Sequence, residues 1–562
     1  PYSYSRIILV RIKIKSQCRI IITSSTHRNI HTHTKLYAPP KRRRMAIFDP
    51  FQLRHKPPSI LPTSTFKPSH VISVVAKLFF TICIFISVAM IFFYIIFSDC
   101  SDCHRIAGHL RFDRGNVSST TNSSTSSSSS SSAILRKNQS SEATDVSHIV
   151  FGVGGSIQTW TERSRYSELW WRPNDTRGFV WLDGEPPLNM TWLPTSPPYK
   201  VSADTSRFNY TCWYGSRSAI RMARIVKESF ELGLKNVRWF VMGDDDTVFF
   251  LDNLLAVLNK YDHNQMYYIG GNSESVEQDI VHSYAMAYGG GGIAISYPLA
   301  IELVKILDGC IDRYAWLYGS DQKIEACISE IGVPLTRELG FHQIDIRGNT
   351  YGLLAAHPVA PLVSLHHLDY VDPIFPATTQ IDALRRLISA YRTDPSRIVQ
   401  HSFCHDPTRN WSVSVSWGYT VQIYPSLVTA KDLATPFLTF KSWRTSSSEP
   451  FTFDTRPISD DPCKRPVVYF LDRVYEVGSG QTLTTYRKHV EVDDPQCDSP
   501  EYARASSIEF IDVSATTWMP NLWKMAPRRQ CCEIVNSDED SENVINVKIR
   551  HCNSFESVTP KS

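Results

Sequence analysis

The sequence lacks a marked excess of charge of either sign. Its 562 residues include 59 Lys and Arg against 55 Asp and Glu, which gives a formal net charge of +4 at pH 7. The basic residues do not gather on one motif in the part of the chain that has a globular composition. We therefore expect no nucleic-acid partner, because such partners require a concentrated basic surface. The length exceeds that of one ordinary core, so two or more folded units are expected.

The chain also lacks a small-residue cleavage site after its long apolar run at residues 78–97. About 20 uncharged apolar residues match the hydrocarbon thickness of a bilayer. The run therefore predicts a transmembrane signal anchor in place of a cleaved signal peptide, with a buried core helix as the alternative. Basic residues precede the run, and Asp99 and Asp102 follow it, which predicts that the N-terminal side is cytosolic and the remainder lumenal.

Two further features favour this single-pass type II topology. Except for Cys18 and Cys83, the 13 cysteines follow the apolar run, as expected for a compartment in which disulfides persist. The Asn-x-Ser/Thr sequons also follow it, at Asn116, Asn122, Asn138, Asn174, Asn189, Asn209 and Asn410. We expect one bridge between Cys310 and Cys327. Further pairing is expected among Cys463, Cys497, Cys531, Cys532 and Cys552.

Composition divides the chain into successive regions. Residues 1–77 predict a basic cytosolic tail. Residues 1–44 precede Met45 and are interpreted as a leader or gene-model artefact, with a real basic extension as the alternative. Residues 98–145 are rich in Ser, Thr and Asn and predict a flexible lumenal stem, because they cannot bury enough apolar surface to fold. The remaining predicted regions are an α/β domain at 146–405 and a smaller β-rich extension at 406–562.

The α/β prediction depends on the alternation of strand and helix patterns. Short apolar runs predict strands at 148–153, 178–182 and 237–242, with helices at 163–171 and 217–232 between them. This alternation indicates a mostly parallel sheet with helices on both faces, in which ligands lie beyond the carboxyl ends of the strands. The strands of the C-terminal extension are predicted at 413–424, 436–443, 467–477 and 507–513.

Three consecutive carboxylates, Asp244, Asp245 and Asp246, follow the strand at 237–242. Carboxylates beside an apolar core are costly, so acids at a strand end need a cation or a water-filled cleft. Carboxylates one residue apart can bind a hard divalent ion that also accepts phosphate oxygens. This favours a sugar-nucleotide site, because the diphosphate leaving group develops charge as the glycosidic bond breaks. The alternative is a solvated acidic turn.

Three downstream segments add context. Gly289 to Gly292 precede a strand, where the absence of side chains permits close approach of an acceptor or phosphate, or makes a plain flexible turn. Asp321 opens a helix as a candidate cap or a candidate base. His366 and His367 offer an imidazole to a metal, although such a pair is more often polar surface or satisfied core.

Taken in order, these segments resemble the motifs of fringe-type transferases, the β1,3-glycosyltransferases of family 31, and in particular the plant fringe-like group. The shared motifs are Trp239-Phe240 before the acid triplet, the four glycines before Ile-Ala-Ile-Ser, Asp321 at a helix start and Leu365-His366. Arg163-Ser-Arg165 and Asp183-Gly184-Glu185 also look like family motifs. The resemblance covers about residues 148–370.

The resemblance implies a GT-A fold, Mn²⁺ or another divalent cation, and inverting transfer from a UDP-sugar with formation of a β1,3 linkage at the Golgi membrane. It implies these residue roles: Asp321 as the catalytic base; Asp244, Asp246 and His366 as metal ligands; Arg163, Arg165, Asp183, Asp244 and Asp245 at the donor; and Gly290 and Gly291 at the acceptor. The chain departs from the family's Gly-Gly-Ala-Gly, and it has Ser320 where an acidic residue is frequent. Both departures concern the acceptor pocket.

The implied partners are a UDP-sugar donor, a glycan or glycoprotein acceptor and the anchoring membrane, and a homo-oligomer is compatible with them. The alternative hypothesis is a non-catalytic Golgi carbohydrate-binding or scaffolding protein that retains the same fold. A phosphotransfer site fits poorly, because no Gly-Lys-Ser/Thr loop or nucleophile motif accompanies the acids.

Overall fold

The computed structural model describes residues 143–444, 450–490, 497–524, 529–535, 543–554 and 556. In chain order the strands are β1 (Ile149–Gly154), β2 (Arg177–Leu182), β3 (Tyr199–Val201), β4 (Trp239–Asp244), β5 (Val248–Phe249), β6 (Tyr268–Gly270), β7 (Ile293–Ser296), β8 (Leu335–Arg337), β9 (Phe341–His342), β10 (Ile346–Gly348), β11 (Ser364–Leu365), β12 (His401–Asp406), β13 (Trp411–Ser416), β14 (Thr420–Tyr424), β15 (Phe440–Ser442), β16 (Val467–Gly478), β17 (Gln481–Lys488), β18 (Phe510–Thr516), β19 (Gln530–Val535) and β20 (Val544–Arg550). The α-helices are α1 (Ile157–Trp170), α2 (Ser218–Glu231), α3 (Leu251–Leu258), α4 (Val276–Val281), α5 (Tyr297–Arg313), α6 (Ser320–Ile331), α7 (Tyr351–Ala355), α8 (Gln380–Thr393), α9 (Ala430–Leu433) and α10 (Pro500–Ser506).

The first part of the described chain is built on a seven-stranded sheet with the order β3-β2-β1-β4-β7-β6-β8. β1 pairs in parallel with β2 and β4, β2 pairs in parallel with β3, and β6 pairs in parallel with β8. β7 is antiparallel to both of its neighbours, β4 and β6. The sheet is therefore mixed, and β4 lies at its centre.

The later part of the chain forms a closed barrel of eight strands in the order β12-β13-β14-β16-β17-β18-β20-β19. The parallel pairing of Ser402 with Gln530 and of Phe403 with Cys531 closes it between β12 and β19. Closure pairs the edges that an open sheet of these strands would expose.

The predicted GT-A-like fold with a mostly parallel sheet is therefore wrong. The main sheet is mixed, and the C-terminal region is a closed barrel in place of a small β-rich extension. The alternation of strands and helices before residue 242 suits parallel pairing of β1, β2 and β4. It does not determine where β7 inserts, because a short apolar strand fits a buried position in either direction. The domain boundary predicted at 405–406 falls inside β12.

The membrane predictions are also corrected. None of the helices in the described ranges is long and apolar enough to span a bilayer. The predicted tail (1–77), the predicted anchor (78–97) and nearly all of the predicted stem (98–145) lie outside those ranges. The transmembrane helix, the type II topology and the Golgi location are accordingly withdrawn.

One hydrophobic core runs from the sheet into the barrel and supports the end of β4. Its members include Phe151 in the sheet and Trp417 in the barrel, both fully buried. Phe151, Trp170 and Phe249 form an aromatic group, with 5.0 to 5.6 Å between ring centroids. A second core lies between the sheet and helices α2, α5 and α6. The sheet is thus packed on both faces, which fixes the position of its strand ends.

Disulfides join several of these elements. The predicted Cys310–Cys327 bridge is confirmed and links α5 to α6. Cys463–Cys497 and Cys531–Cys552 form within the predicted group. Cys532 instead pairs with Cys404, which was not predicted, and this bridge links β12 to β19 at the barrel closure.

His401 at the start of β12 makes the stability of the barrel dependent on pH. Its ring is buried, Nε2 is hydrogen-bonded to the Ala355 carbonyl oxygen, and Nδ1 has no partner within the described ranges. Burial and the charge of Arg529 lower the pKa of His401 to about 3. In the unfolded chain the pKa is about 6.5, so the unfolded state alone takes up a proton between these values. The contribution is fully present above pH 6.5 and is lost as the pH falls towards 3.

We predict that His401→Gln makes unfolding less dependent on pH. The free energy of unfolding of the parent should fall from pH 7 to pH 5.5 more steeply than that of the variant, by up to about 1.4 kcal/mol per pH unit. Urea titrations at both pH values measure the difference. His551→Gln, at an exposed position, is the control and should match the parent. Equal slopes for His401→Gln and the parent would contradict the prediction.

Candidate functional site

The acid triplet lies where the central strand β4 ends. Trp239, Phe240 and Val241 are buried between β1 and β7, and the strand ends at Asp244. The chain then turns, because the Thr247 amide donates to the Asp244 carbonyl oxygen at 3.0 Å and the Asp244 amide donates to Thr247 Oγ1 at 2.8 Å. The turn fixes the three carboxylates at the carboxyl end of β4, the central strand of the sheet.

A short antiparallel strand pair brings a histidine to the triplet. β5 follows the turn and pairs with β11, so that Leu365 lies opposite Val248. His366 comes directly after β11. Its Nε2 lies 3.1 Å from Asp246 Oδ1 and 3.6 Å from Asp244 Oδ2. Residues more than 100 positions apart in the sequence therefore meet at one point.

Asp244, Asp246 and His366, here called the ligand cluster, fit a divalent cation. Each offers one ligand atom, and these atoms lie within 4.8 Å of one another. Both carboxylate oxygens of Asp246 are buried without a well-aligned hydrogen bond, although His366 and Arg163 stand at ion-pair distance. Such a carboxylate is costly unless a cation compensates it. Carboxylate oxygens with one imidazole nitrogen are ligands that Mn²⁺ accepts.

Arg163 on α1 places a positive charge beside three carboxylates. Its guanidinium lies 3.0 Å from Asp245 Oδ1, 3.2 Å from Asp246 Oδ2 and 3.2 Å from Asp369 Oδ2. Asp369 also accepts a hydrogen bond of 2.5 Å from the Tyr166 hydroxyl. Although burial disfavours the charged form, Asp246 and Asp245 raise the pKa of Arg163. A guanidinium held in this way suits the oxygens of a phosphate group.

The pKa values of the three residues in the ligand cluster are shifted in different directions. Burial raises the pKa of Asp244 to about 7, and the charge of His366 opposes the increase. Burial also disfavours ionised Asp246, but His366 and then Arg163 hold its pKa well below the usual value. Burial alone would lower the pKa of His366, whereas Asp246 and Asp244 raise it to about 9. His366 and Asp246 therefore form an ion pair at neutral pH, and a cation that binds His366 must displace its proton.

Asp321 and Asp244 line the same small cavity, of about 30 Å³. Gly319 occupies the N-cap position of α6, so Asp321 is not the capping residue. Its carboxylate packs against the backbone of Gly289, where an added Cβ would lie 2.5 Å from Asp321 Oδ1. Burial raises the pKa of Asp321, and hydrogen bonds from the Gly289 amide and the Ser320 hydroxyl oppose the increase. A raised pKa suits proton acceptance near neutral pH.

The glycines allow the loop before β7 to approach the ligand cluster. A Cβ on Gly290 would lie 2.1 Å from the His366 ring. The Gly290 carbonyl oxygen accepts from Thr247 Oγ1 at 2.7 Å, and the Gly291 amide donates to Gln343 Oε1 at 2.7 Å. The two predicted acceptor residues are therefore buried and hydrogen-bonded within the protein, and it is Gly289 that faces Asp321.

Two predicted donor residues lie apart from this cluster. Arg165 is exposed on α1 and has no hydrogen bond or ion pair to any described residue. Asp183 accepts from the Ile157 amide at 3.0 Å and from Ser156 Oγ at 2.9 Å, and so holds the start of α1. The structure brings together the predicted site residues Arg163, Asp244, Asp245, Asp246, Asp321, His366, Gly290 and Gly291.

The sequence offered His367 only as a candidate imidazole ligand, and it did not reveal Asp345, Asp369 or Trp443. His367 Nδ1 lies 3.0 Å from Asp345 Oδ1, and the His367 ring stacks on Trp443 with 4.5 Å between centroids. Asp369 could have been found from the sequence, because it is a carboxylate three residues after His366. Asp345 and Trp443 could not have been found in this way, because only the tertiary fold brings them to the histidines.

A family model described as "Protein of unknown function, DUF604" matches residues 278–532. The matched segment includes the four glycines, Asp321 and His366, and it begins after Arg163 and the acid triplet. No curated protein matches the chain. The segment is thus similar to a family without an assigned activity, and this likeness does not identify a particular glycosyltransferase family.

We predict that Gly290→Ala weakens Mn²⁺ binding by about tenfold or more, because the added Cβ would displace the His366 ring. Isothermal titration calorimetry with MnCl₂ measures the change, and a melting curve checks the fold. Gly309→Ala on α5 is the matched control, because its Cβ would meet nothing closer than Arg313 Nη1 at 3.4 Å. Unchanged Mn²⁺ affinity in a folded Gly290→Ala variant would show that His366 is not a ligand.

Proposed function

We propose that this protein is a metal-dependent glycosyltransferase that moves a sugar from a UDP-sugar to a hydroxyl group of a glycan or glycoprotein acceptor. One observation carries the proposal: Asp244, a member of a donor set of two carboxylates and an imidazole, lines a small cavity together with Asp321, a carboxylate of raised pKa. The donor set suits a cation that binds a diphosphate, and the separate carboxylate suits removal of a hydroxyl proton. The fringe-type resemblance of residues 148–370 further supports the proposal.

Asp244, Asp246 and His366 would hold the cation, which when bound supplies positive charge to the diphosphate of the donor. Asp245 has a different role, because its two oxygens are bound by Arg163 at 3.0 Å and by Thr159 Oγ1 at 2.9 Å. These contacts position the Arg163 guanidinium beside the ligand cluster, where it can meet the UDP phosphates.

Asp321 is the general base of the proposed reaction. The acceptor hydroxyl gives its proton to the Asp321 carboxylate while its oxygen forms a bond to the anomeric carbon. The bond from that carbon to the UDP oxygen breaks, and its electron pair leaves with UDP. Attack from the face opposite UDP inverts the anomeric centre, and the resemblance to fringe-type enzymes implies a β1,3 linkage. Ser320 Oγ donates to Asp321 Oδ1 at 3.1 Å and helps to orient the carboxylate.

We predict that Asp321→Asn lowers the rate of sugar transfer by at least about a hundredfold. The binding of Mn²⁺ and UDP should stay near that of the parent, because Asp321 is not part of the ligand cluster. The melting temperature should also stay close, because Gly319 is the cap of α6. Initial transfer rates, calorimetry and a melting curve measure the three quantities.

Glu325→Gln is the matched control for this substitution. It removes a carboxylate from the same helix, one turn beyond Asp321, and should leave transfer unchanged. Parent-like transfer by Asp321→Asn would place the base elsewhere. Binding of UDP-sugar without any transfer by the parent would instead favour the non-catalytic carbohydrate-binding alternative.

A further inference from the structure

Four ring side chains form a continuous row on the surface beside Asp321. Trp213, Tyr214 and Tyr318 are 81%, 61% and 38% exposed. The ring centroids lie 5.5 Å apart between Trp213 and Tyr214, 5.6 Å between Tyr214 and Tyr318, and 5.3 Å between Tyr318 and His282. The planes of Tyr214 and Tyr318 differ by only 12°, whereas the Trp213 ring stands at 80° to that of Tyr214. We call this row the aromatic platform.

The two loops that carry most of the platform are fastened to each other. The Tyr210 hydroxyl donates to the Tyr318 carbonyl oxygen at 2.7 Å, and the Thr211 amide donates to the Ala315 carbonyl oxygen at 3.0 Å. A Cβ on Gly215 would lie 2.0 Å from the Tyr210 hydroxyl oxygen and 3.0 Å from the Tyr318 ring. The close fit at Gly215 shows that the two loops pack tightly against each other beside Tyr318.

The platform leads to the candidate base. Tyr318 lies three residues before Asp321, and the Tyr318 amide donates to Gln322 Oε1 at 3.0 Å. Gln322 Nε2 is 3.5 Å from the His282 carbonyl oxygen, which ties the platform to α4. The row continues inward to Tyr288, whose ring centroid is 6.4 Å from that of His282. The rings therefore extend from solvent to Tyr288, the residue before Gly289, which lines the small cavity with Asp321.

A contiguous row of exposed aromatic rings marks a binding surface more often than isolated exposed rings do. A pyranose ring presents C–H groups on its flat face, which pack on an aromatic face while the hydroxyl groups remain hydrated. The spacing from ring to ring is comparable to the length of one pyranose unit, so a row fits several consecutive sugars. The carboxylate of Asp321, which packs against Gly289 directly after Tyr288, disfavours an acidic sugar at the inner end.

We propose that the aromatic platform is the acceptor subsite of the transferase and binds a neutral oligosaccharide. Its sugar rings stack on Tyr318, Tyr214 and Trp213, and its reactive hydroxyl lies at Asp321. The proposal rests on the proposed function, because the base defines which end of the row receives the reacting sugar. It narrows the acceptor to a chain of several uncharged sugars.

The test uses the full chain on an array of immobilised hexasaccharides of β1,4-glucan, β1,4-xylan and β1,3-galactan, the matching monosaccharides and a galacturonan hexasaccharide. The parent should bind at least one neutral hexasaccharide more tightly than its monosaccharide and than the acidic one. Trp213→Ala and Tyr214→Ala should each weaken that binding by about tenfold. Tyr475→Ala removes a 47% exposed ring from the barrel and should leave it unchanged.

Mn²⁺-dependent hydrolysis of UDP-sugar, with water as acceptor, separates this proposal from the proposed function. Tyr475→Ala should hydrolyse UDP-sugar at the parent rate. Trp213→Ala and Tyr214→Ala should bind UDP in Mn²⁺ as tightly as the parent, because neither residue touches the ligand cluster. A parent that hydrolyses UDP-sugar but binds no neutral hexasaccharide, or variants that bind as tightly as the parent, would overturn the platform proposal alone. A parent without hydrolysis of any UDP-sugar would refute the proposed function and, with it, the acceptor role.

Discussion

The concentration of negative charge at the end of β4 is the constraint on which the site depends. Asp246 is only 1% exposed, yet its pKa remains below the usual value because His366 and Arg163 lie beside it. Removing either partner would leave the buried charge of Asp246 with only one cation beside it, and losing a buried partner costs more than a surface ion pair contributes. The middle of α1 and the end of β11 are therefore held at β4 by electrostatics as well as by packing. The same excess of carboxylates is what suits the site to a cation.

The mixed sheet and the core that it shares with the barrel help to position the residues of the site. β7 inserts antiparallel beside β4, so the glycines that precede it pass directly over His366. α6 presents Asp321 to the small cavity that Asp244 also lines. The aromatic group of Phe151, Trp170 and Phe249 belongs to the core that continues into the barrel, and this core includes Trp239 and Val241 of β4.

The sequence indicated which residues meet at the candidate site better than it indicated the architecture that brings them together. Asp244, Asp246, Asp321 and His366 could be found because carboxylates and imidazoles at strand and helix ends need a specific reason to be there. The antiparallel β7 and the closure of the barrel could not be found, because pairing partners far apart in sequence leave no local signal. The sequence also leaves open which way a motif residue faces: Arg165, which the resemblance implies at the donor, is exposed on α1.

The central claim is that the ligand cluster supports transfer from a UDP-sugar. Release of UDP from a panel of UDP-sugars, measured with the full chain in Mn²⁺ and in EDTA, tests it most directly. We expect release of UDP with at least one donor in Mn²⁺ and none in EDTA. In Asp246→Asn the rate of UDP release should fall by at least about a hundredfold. Glu302→Gln, on the exposed face of α5, should match the parent. Equal release by the parent and Asp246→Asn, or no release with any donor, would contradict a role of the ligand cluster in transfer from a UDP-sugar.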